Sequence, residues 1–163
     1  LELARADRKD SRVLSPLDLS ELVTDESLVF EALLYEKGLG VQWEVENGIR
    51  VLGDDAGLRP VVDILLDNAC KYTSPGGFVV CRLKREGRKR CVFSVATTGD
   101  PISHDDLRDI FKRFVRLDES RSRTGSFGLG LSIAQAAVEA HRGKIWAESR
   151  DGINTFFVQL PIL

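Results

Sequence analysis

Three glycines occur within six residues at 125–130, in the segment Gly-Ser-Phe-Gly-Leu-Gly. An apolar segment with helical spacing follows and runs to Ala140. Glycine frees backbone amides at the start of a helix, where the amides and the helix dipole together form a site for an anion, most often phosphate. The preceding residues, 112–123, are rich in arginine and serine. The sequence therefore predicts a phosphate-binding loop that leads into a helix.

Composition narrows the function classes. The chain has 163 residues, 43% of them hydrophobic and 29% charged, which is typical of one globular domain with a real core. A net charge of -2 argues against nucleic acid as a partner, because such binding needs a strongly basic face. Cysteines occur only at positions 70, 81 and 91, without CxxC spacing, so reduced thiols are expected rather than a disulfide framework or a zinc site.

Helical and strand-like segments alternate along the chain. Helices are predicted from about residue 20 to Tyr35, from the capping pair Asp54 and Asp55 to Tyr72, over a short stretch near 103–110, and over 128–140. Strands are predicted at 41–46, 49–52, 78–84, 90–96, 144–149 and 154–160. The first helix is expected to bury Leu22, Val23, Leu28, Val29, Ala32 and Leu33. Residues 97–127 remain largely irregular, and loops of that length are generally lids or binding loops.

Three polar residues share one face of the second helix. Asn68, Lys71 and Tyr72 follow i, i+3, i+4 spacing. An asparagine oxygen suits a Mg²⁺ that already carries phosphate ligands, a lysine meets phosphate as a point charge, and a tyrosine can flank a base or a ribose. The alternative is an ordinary helix end, at which Lys71 is favoured by the helix dipole.

Three segments resemble the motifs of sensor histidine kinases. Residues 53–73, which include Leu-Leu-Asp-Asn-Ala-Cys-Lys-Tyr-Thr at 65–73, are similar to their N box, and residues 110–123 are similar to their F box and ATP lid. Residues 125–133, with the later 138–149, are similar to their G2 box and closing strands. The resemblance covers nearly the whole chain, with the motifs in the family's order.

The resemblance implies an α/β fold of the GHKL type: a two-layer α/β sandwich, the Bergerat-type ATP-binding fold, with a mixed sheet and helices on one face. It implies that residues 1–19 are the end of a dimerisation helix followed by its linker, which is residues 16–19. It also implies that residues 20–163 form the catalytic and ATP-binding domain. ATP and Mg²⁺ are the implied ligands, with Asn68 holding the metal. The implied ATP-binding residues are Asn68, Lys71, Tyr72, Thr97, Gly99, Ile102, Phe111, Phe114, Arg116, Arg121, Arg123, Gly125, Gly128, Leu129, Gly130 and Leu131.

The sequence departs from the family pattern at two places. Thr97 stands where the family has an aspartate that hydrogen-bonds the adenine amino group, and a neutral hydroxyl makes the weaker bond. Ile64 stands one helical turn before Asn68, where ATP-hydrolysing relatives carry a carboxylate that orients water. Transfer to an external acceptor is therefore favoured over hydrolysis.

Two hypotheses follow. In the first, the chain is the ATP-binding catalytic domain of a sensor histidine kinase and transfers the γ-phosphoryl group to a histidine on the dimerisation helices. In the second, it is a degenerate module that binds ATP weakly or not at all and acts by docking.

The phosphoacceptor is expected upstream of residue 1, with His104 a surface residue and His141 structural. The expected partners are the dimerisation helices and a response regulator. The chain is expected to be a monomeric cytoplasmic piece of a homodimeric protein, and both a membrane-anchored and an unanchored parent fit the sequence.

Overall fold

The computed structural model describes residues 13–112 and 130–163, and the elements below are those of that part of the chain. Its helices are α1 (Leu19–Glu36), α2 (Asp55–Tyr72), α3 (His104–Asp109) and α4 (Gly130–Ala140). Its strands are β1 (Ser15–Asp18), β2 (Gly40–Val45), β3 (Arg50–Gly53), β4 (Phe78–Glu86), β5 (Arg90–Thr98), β6 (Lys144–Arg150) and β7 (Ile153–Pro161). The predicted helices and strands are thus present in the predicted order.

A mixed five-stranded sheet in the order β2-β4-β5-β7-β6 forms one layer of the domain. β2 runs parallel to β4, and the other neighbouring strands are antiparallel. Along β5 the alternate residues Cys91, Phe93, Val95 and Thr97 are buried, and Phe93 pairs in register with buried Leu83 of β4 and buried Val158 of β7. The helices cover this face, with α2 against β5, α1 against β2 and α4 against β6. The two-layer α/β sandwich with a mixed sheet is therefore confirmed.

Local chemistry explains where the two long helices begin. Asp18 caps α1 by accepting a hydrogen bond from the Glu21 amide, and Asp54 caps α2 by accepting one from the Ala56 amide. A carboxylate at this position satisfies an amide that has no partner within the helix and complements the helix dipole. The capping role predicted for Asp54 is confirmed, and α2 is thereby fixed at the end opposite to Asn68.

Residues 16–19, predicted to be a linker, include most of a short strand. Ser15–Asp18 pairs antiparallel with Arg50–Gly53 as a two-stranded sheet, and α1 begins at Leu19. Extended residues before a helix cap gain backbone hydrogen bonds when a short strand lies beside them, and the composition of the segment does not reveal that partner. Residues 1–12 lie outside the described part, so the assignment of residues 1–19 to a dimerisation helix and linker stays a prediction.

The predicted buried face of α1 is wrong in its second half. Leu28, Val29 and Leu33 are exposed, while Phe30 and Leu34 point into the core. The apolar residues of α1 nearly encircle this part of the helix, so periodicity alone cannot select one face. In the described residues no helix is long and apolar enough to cross a membrane.

Candidate nucleotide-binding site

The last turns of α2 present the polar face that the sequence predicted. Asn68, Lys71 and Tyr72 are all half-buried. Within the described part of the chain, no hydrogen bond is recorded for the Asn68 side chain, so its amide oxygen is available to a ligand. The Lys71 ammonium pairs with Asp67 at 2.8 Å between Nζ and Oδ2, one turn earlier. The Lys71 charge is thus partly satisfied, a feature that the sequence analysis did not predict.

The first described residue of α4 lies against α2. A Cβ built on Gly130 would lie 3.5 Å from Cγ2 of Ile64, at the lower limit of ordinary contact. Ile64 stands one turn before Asn68 on the side of α2 that faces α4. The end of the glycine run and the polar face of α2 are therefore neighbours, as a shared phosphate site requires.

A second corner forms where the end of β5 meets the end of α2. The Ser74 amide donates to the Thr98 carbonyl at 2.9 Å. A Cβ built on Gly99 would lie 3.4 Å from the Tyr72 carbonyl oxygen. Thr97 is buried, and its hydroxyl donates a long hydrogen bond of 3.4 Å to the Asn154 carbonyl. This corner brings together Tyr72, Thr97 and Gly99, and we call it the base end of the site.

The polar residues that support the base end were missed by sequence reasoning. Asn154 is 8% exposed, and its side-chain amide donates to the Asp100 carbonyl at 2.9 Å. The Ser149 hydroxyl donates to Asn154 Oδ1 at 2.6 Å and accepts from the Ile102 amide at 2.9 Å. A signal was available in the alternation of β7, because Asn154 falls on the inward-facing positions that are otherwise apolar.

The remaining described candidates border this region. Ile102 and Leu131 are partly buried against the core. Phe111 is buried and makes an edge-to-face contact with Phe156, with ring centroids 6.4 Å apart. This contact fixes Phe111 against the sheet, one residue before the first described segment ends at residue 112. Other candidates lie outside the described residues: Phe114, Arg116, Arg121, Arg123, Gly125, Gly128 and Leu129.

The opposite side of α2 carries charged groups that face α1. Arg59 bridges the two helices, at 2.7 Å from Glu26 and 2.8 Å from Asp55. Burial and a hydrogen bond to Glu26 raise the pKa of Asp63 to about 7. Asp63 and Glu26 therefore share a proton at acidic and near-neutral pH, and this cluster serves the contact between α1 and α2.

The two histidines lie in different surroundings. His104 is exposed at the first residue of the short helix α3. His141 is buried, its Nε2 accepts from the Asp54 amide at 3.1 Å, and its Nδ1 lies 2.7 Å from the Ala137 carbonyl. This pattern requires a neutral ring protonated at Nδ1, which ties the end of α4 to the cap of α2. His141 is structural, as the sequence predicted.

Comparisons with known proteins identify the family. Residues 53–163 match the family described as histidine kinase-, DNA gyrase B-, and HSP90-like ATPase. The sensor protein DltS of Streptococcus agalactiae is 32% identical over 163 residues, which cover 99% of this chain and 41% of DltS. The probable sensor histidine kinase TcrY of Mycobacterium tuberculosis is 39% identical over 99% of this chain and 34% of TcrY. The chain thus spans less than half the length of these relatives.

A solved structure shares the fold over most of the chain. The catalytic domain of the histidine kinase ThkA superposes with a TM-score of 0.81 at 25% identity, covering 91% of this chain and 95% of that domain. The family match begins at the last residue of β3 and includes α2, α4 and the strands β5, β6 and β7 that form the base end of the site. The chain therefore belongs to the histidine kinase-, DNA gyrase B- and HSP90-like ATPases, as the GHKL ATP-binding domain of a sensor histidine kinase.

Proposed function

We propose that this domain binds Mg-ATP and presents its γ-phosphoryl group to a histidine on dimerisation helices of its parent protein. The observation that carries the proposal is the place of Asn68. Its half-buried amide oxygen has no partner among the described residues, and it lies one turn after Ile64, whose side chain lies beside Gly130 at the start of α4. The proposed oxygen ligand of Asn68 and the beginning of α4 are therefore close to each other.

The residues present fit a Mg²⁺ ion that is shared with phosphates. Such an ion takes few protein ligands and keeps phosphate oxygens and waters, so Asn68 alone can supply the protein's share. When bound, Mg²⁺ would neutralise negative charge on the phosphates. Lys71 would add a second positive charge, and the Gly130 region would contribute backbone amides. Phosphoryl transfer depends mostly on positioning and charge neutralisation, and these residues supply both.

Transfer to an external acceptor is supported better than hydrolysis. Ile64 occupies the turn before Asn68, and its side chain lies so close to Gly130 that a Cβ built there would be 3.5 Å from Ile64 Cγ2. An aliphatic side chain at this place cannot orient an attacking water. The same position thus favours a kinase over a self-contained ATPase.

Solved relatives support the ligand and the partner. The structure of full-length ShkA, 28% identical over 91% of this chain, is a complex with AMPPNP. ThkA has been solved in complex with the response regulator protein TrrA. We propose an adenine nucleotide, the parent's dimerisation helices and a response regulator as the partners of this domain, in a parent that is a homodimer. The degenerate-module alternative has only Thr97 and Ile64 in its favour.

Titration calorimetry with Mg-ATP and Mg-ADP tests the first step. We expect saturable binding with micromolar to submillimolar affinity, and no binding at millimolar nucleotide would overturn the proposal. The second step is tested by adding the parent's dimerisation helices and γ-labelled ATP. We expect acid-labile, alkali-stable label on those helices, none when their acceptor histidine is replaced, and none on this chain alone.

A further inference from the structure

The loop of residues 99–102, which follows β5, is held by β6 and β7 through two side chains. At its start, the Gly99 amide donates to the Gly152 carbonyl at 3.1 Å. Next, the Asp100 carbonyl accepts from the Asn154 side chain, and the Ile102 amide donates to the Ser149 hydroxyl. The main chain of this loop is therefore fixed at three successive points.

The directions of these hydrogen bonds require an amide at position 154. The Asp100 carbonyl can only accept, so the atom that faces it must be a donor, Nδ2. The Ser149 hydroxyl uses its hydrogen on Asn154 Oδ1 and keeps a lone pair for the Ile102 amide. A carboxylate would lack the donor, and serine or alanine would be too short to reach both partners.

The same amide also sets how closely the loop approaches α2. A Cβ built on Gly99 would lie 3.2 Å from Asn154 Nδ2 and 3.4 Å from the Tyr72 carbonyl oxygen. Gly99 therefore lies between the Asn154 side chain and the last turn of α2, the helix that carries Asn68 and Tyr72. If the amide contact is lost, the loop is free to move away from Tyr72, and the base end widens.

We infer that Asn154 is a positioning residue for the base end of the nucleotide site, acting together with Ser149 through the loop of residues 99–102. This inference rests on the proposed function, because it assumes that a base occupies the corner between Tyr72, Thr97 and Gly99. It predicts that Asn154 governs affinity for the nucleoside part of the ligand and leaves the phosphate end unaffected.

The test uses Asn154→Asp, with Ser149→Ala as a second variant and Asn47→Asp as the matched control in an exposed turn. At pH 8 we expect Asn154→Asp to weaken ADP binding by about 5- to 30-fold, because a buried acceptor then faces a carbonyl. The factor by which Mg²⁺ strengthens ADP binding should stay the same, because it reports on the phosphate end. At pH 5 the introduced carboxyl, once protonated, can donate to the Asp100 carbonyl, so the loss should shrink.

Hydrogen exchange gives a readout that needs no nucleotide. In Asn154→Asp and Ser149→Ala, the Ile102 amide should exchange at least about 10-fold faster at pH 8, while the amides of α2 keep their rates. Unchanged exchange at residues 99–102, or a loss of ADP affinity equal to that of the control, would overturn the inference. If the unmodified chain binds no nucleotide, the proposed function fails and the positioning role with it, even where exchange shows that the amide holds the loop.

Discussion

At the base end of the site, three main-chain groups of one loop are held by hydrogen bonds to β6, β7 and the turn between them, whereas at the phosphate end Asn68 has no partner among the described residues. The base end is assembled from β5, β6, β7 and the end of α2, and its polar groups satisfy one another. The phosphate end is a single helix face with an open amide and a lysine paired to a half-exposed aspartate. The polar groups of the base end are therefore hydrogen-bonded before any ligand binds. The phosphate end offers polar groups that a ligand must satisfy.

This difference indicates how the affinity for a nucleotide is divided between the base end and the phosphate end. A preformed pocket loses little conformational freedom on binding, so the base end favours recognition of the nucleoside even with a neutral Thr97. An open amide and a lysine contribute only when phosphates and a metal ion arrive together. We therefore expect changes at the phosphate end to alter the Mg²⁺ dependence of binding, and changes at the base end to alter the choice of base.

The largest effect is expected for Asn68→Ala. It removes the oxygen ligand proposed for Mg²⁺, and Mg-ADP binding should weaken by about 100-fold or more. The advantage of Mg-ADP over ADP in chelator should vanish with it. Titration calorimetry with and without Mg²⁺ measures both quantities.

Asn47→Ala is the control for Asn68→Ala, since it removes the same side chain from an exposed turn. It should leave both affinities unchanged. If Asn68→Ala kept the Mg²⁺ advantage, Asn68 would not be the metal ligand, and the phosphate end would have to be sought elsewhere.

The next largest effect is expected for Thr97→Asp. A carboxylate makes the stronger hydrogen bond to an adenine amino group, so ADP affinity should rise by about 5- to 30-fold. The ratio of ADP to GDP affinity should rise as well, because a carboxylate repels the O6 atom of guanine. The unliganded variant should be less stable, because Thr97 is buried and the new carboxylate would face the Asn154 carbonyl.

Two measurements decide the Thr97→Asp prediction: calorimetry with ADP and GDP, and urea unfolding without nucleotide. Thr97→Ser, which keeps a hydroxyl, is the control and should leave the ADP to GDP ratio near its original value. If Thr97→Asp lost stability but gained no adenine preference, Thr97 would be a core residue and the base would lie elsewhere.

A smaller effect is expected for Asp67→Asn. This change breaks the pair with Lys71 and frees the ammonium for a phosphate. Exposed pairs of this spacing contribute only a few tenths of a kcal/mol, so Mg-ADP affinity should rise by about 2-fold. Asp105→Asn breaks the comparable pair with Arg108 on α3 and should not change the affinity. A loss of affinity in Asp67→Asn would show that Asp67 itself supports the site.

The order of helices and strands, the cap at Asp54 and the polar face of α2 could be predicted because they depend on local spacing. Each is set by residues within a few positions of one another, and the structure agrees. Two other features depend on partners that are distant in sequence. Residues 15–18 form a strand because residues 50–53 lie beside them, and α1, which packs against both α2 and β2, buries Phe30 rather than Val29.

The candidate site divides in the same way. Asn68, Lys71 and Tyr72 were found by their spacing on one helix. Asn154 and Ser149 were not found, because their role depends on which strands lie beside them. The alternation of β7 puts Asn154 on the inward-facing side, but only the register of β7 against β5, which pairs Asn154 with Thr97, places it at the base end.

The smallest effect on binding is expected for Asp63→Asn, on the side of α2 that faces α1. Because burial raises the pKa of Asp63 to about 7, its folded form holds a proton more tightly than the unfolded chain does. Its contribution to the free energy of unfolding is therefore complete below about pH 4 and is lost as pH rises towards 7 and above. The neighbouring Glu26 has a lowered pKa and titrates below this window.

Between pH 5 and pH 8 the unmodified domain should lose stability in urea unfolding, and Asp63→Asn should lose less, because asparagine keeps a donor for Glu26 at every pH. Asp105→Asn, at an exposed position, should follow the unmodified domain. Mg-ADP affinity should have the same pH dependence in all three proteins, because Asp63 faces α1 whereas Asn68 lies on the side that faces α4. A selective change of affinity in Asp63→Asn would contradict this separation and would mean that the contact between α1 and α2 helps to position the phosphate end.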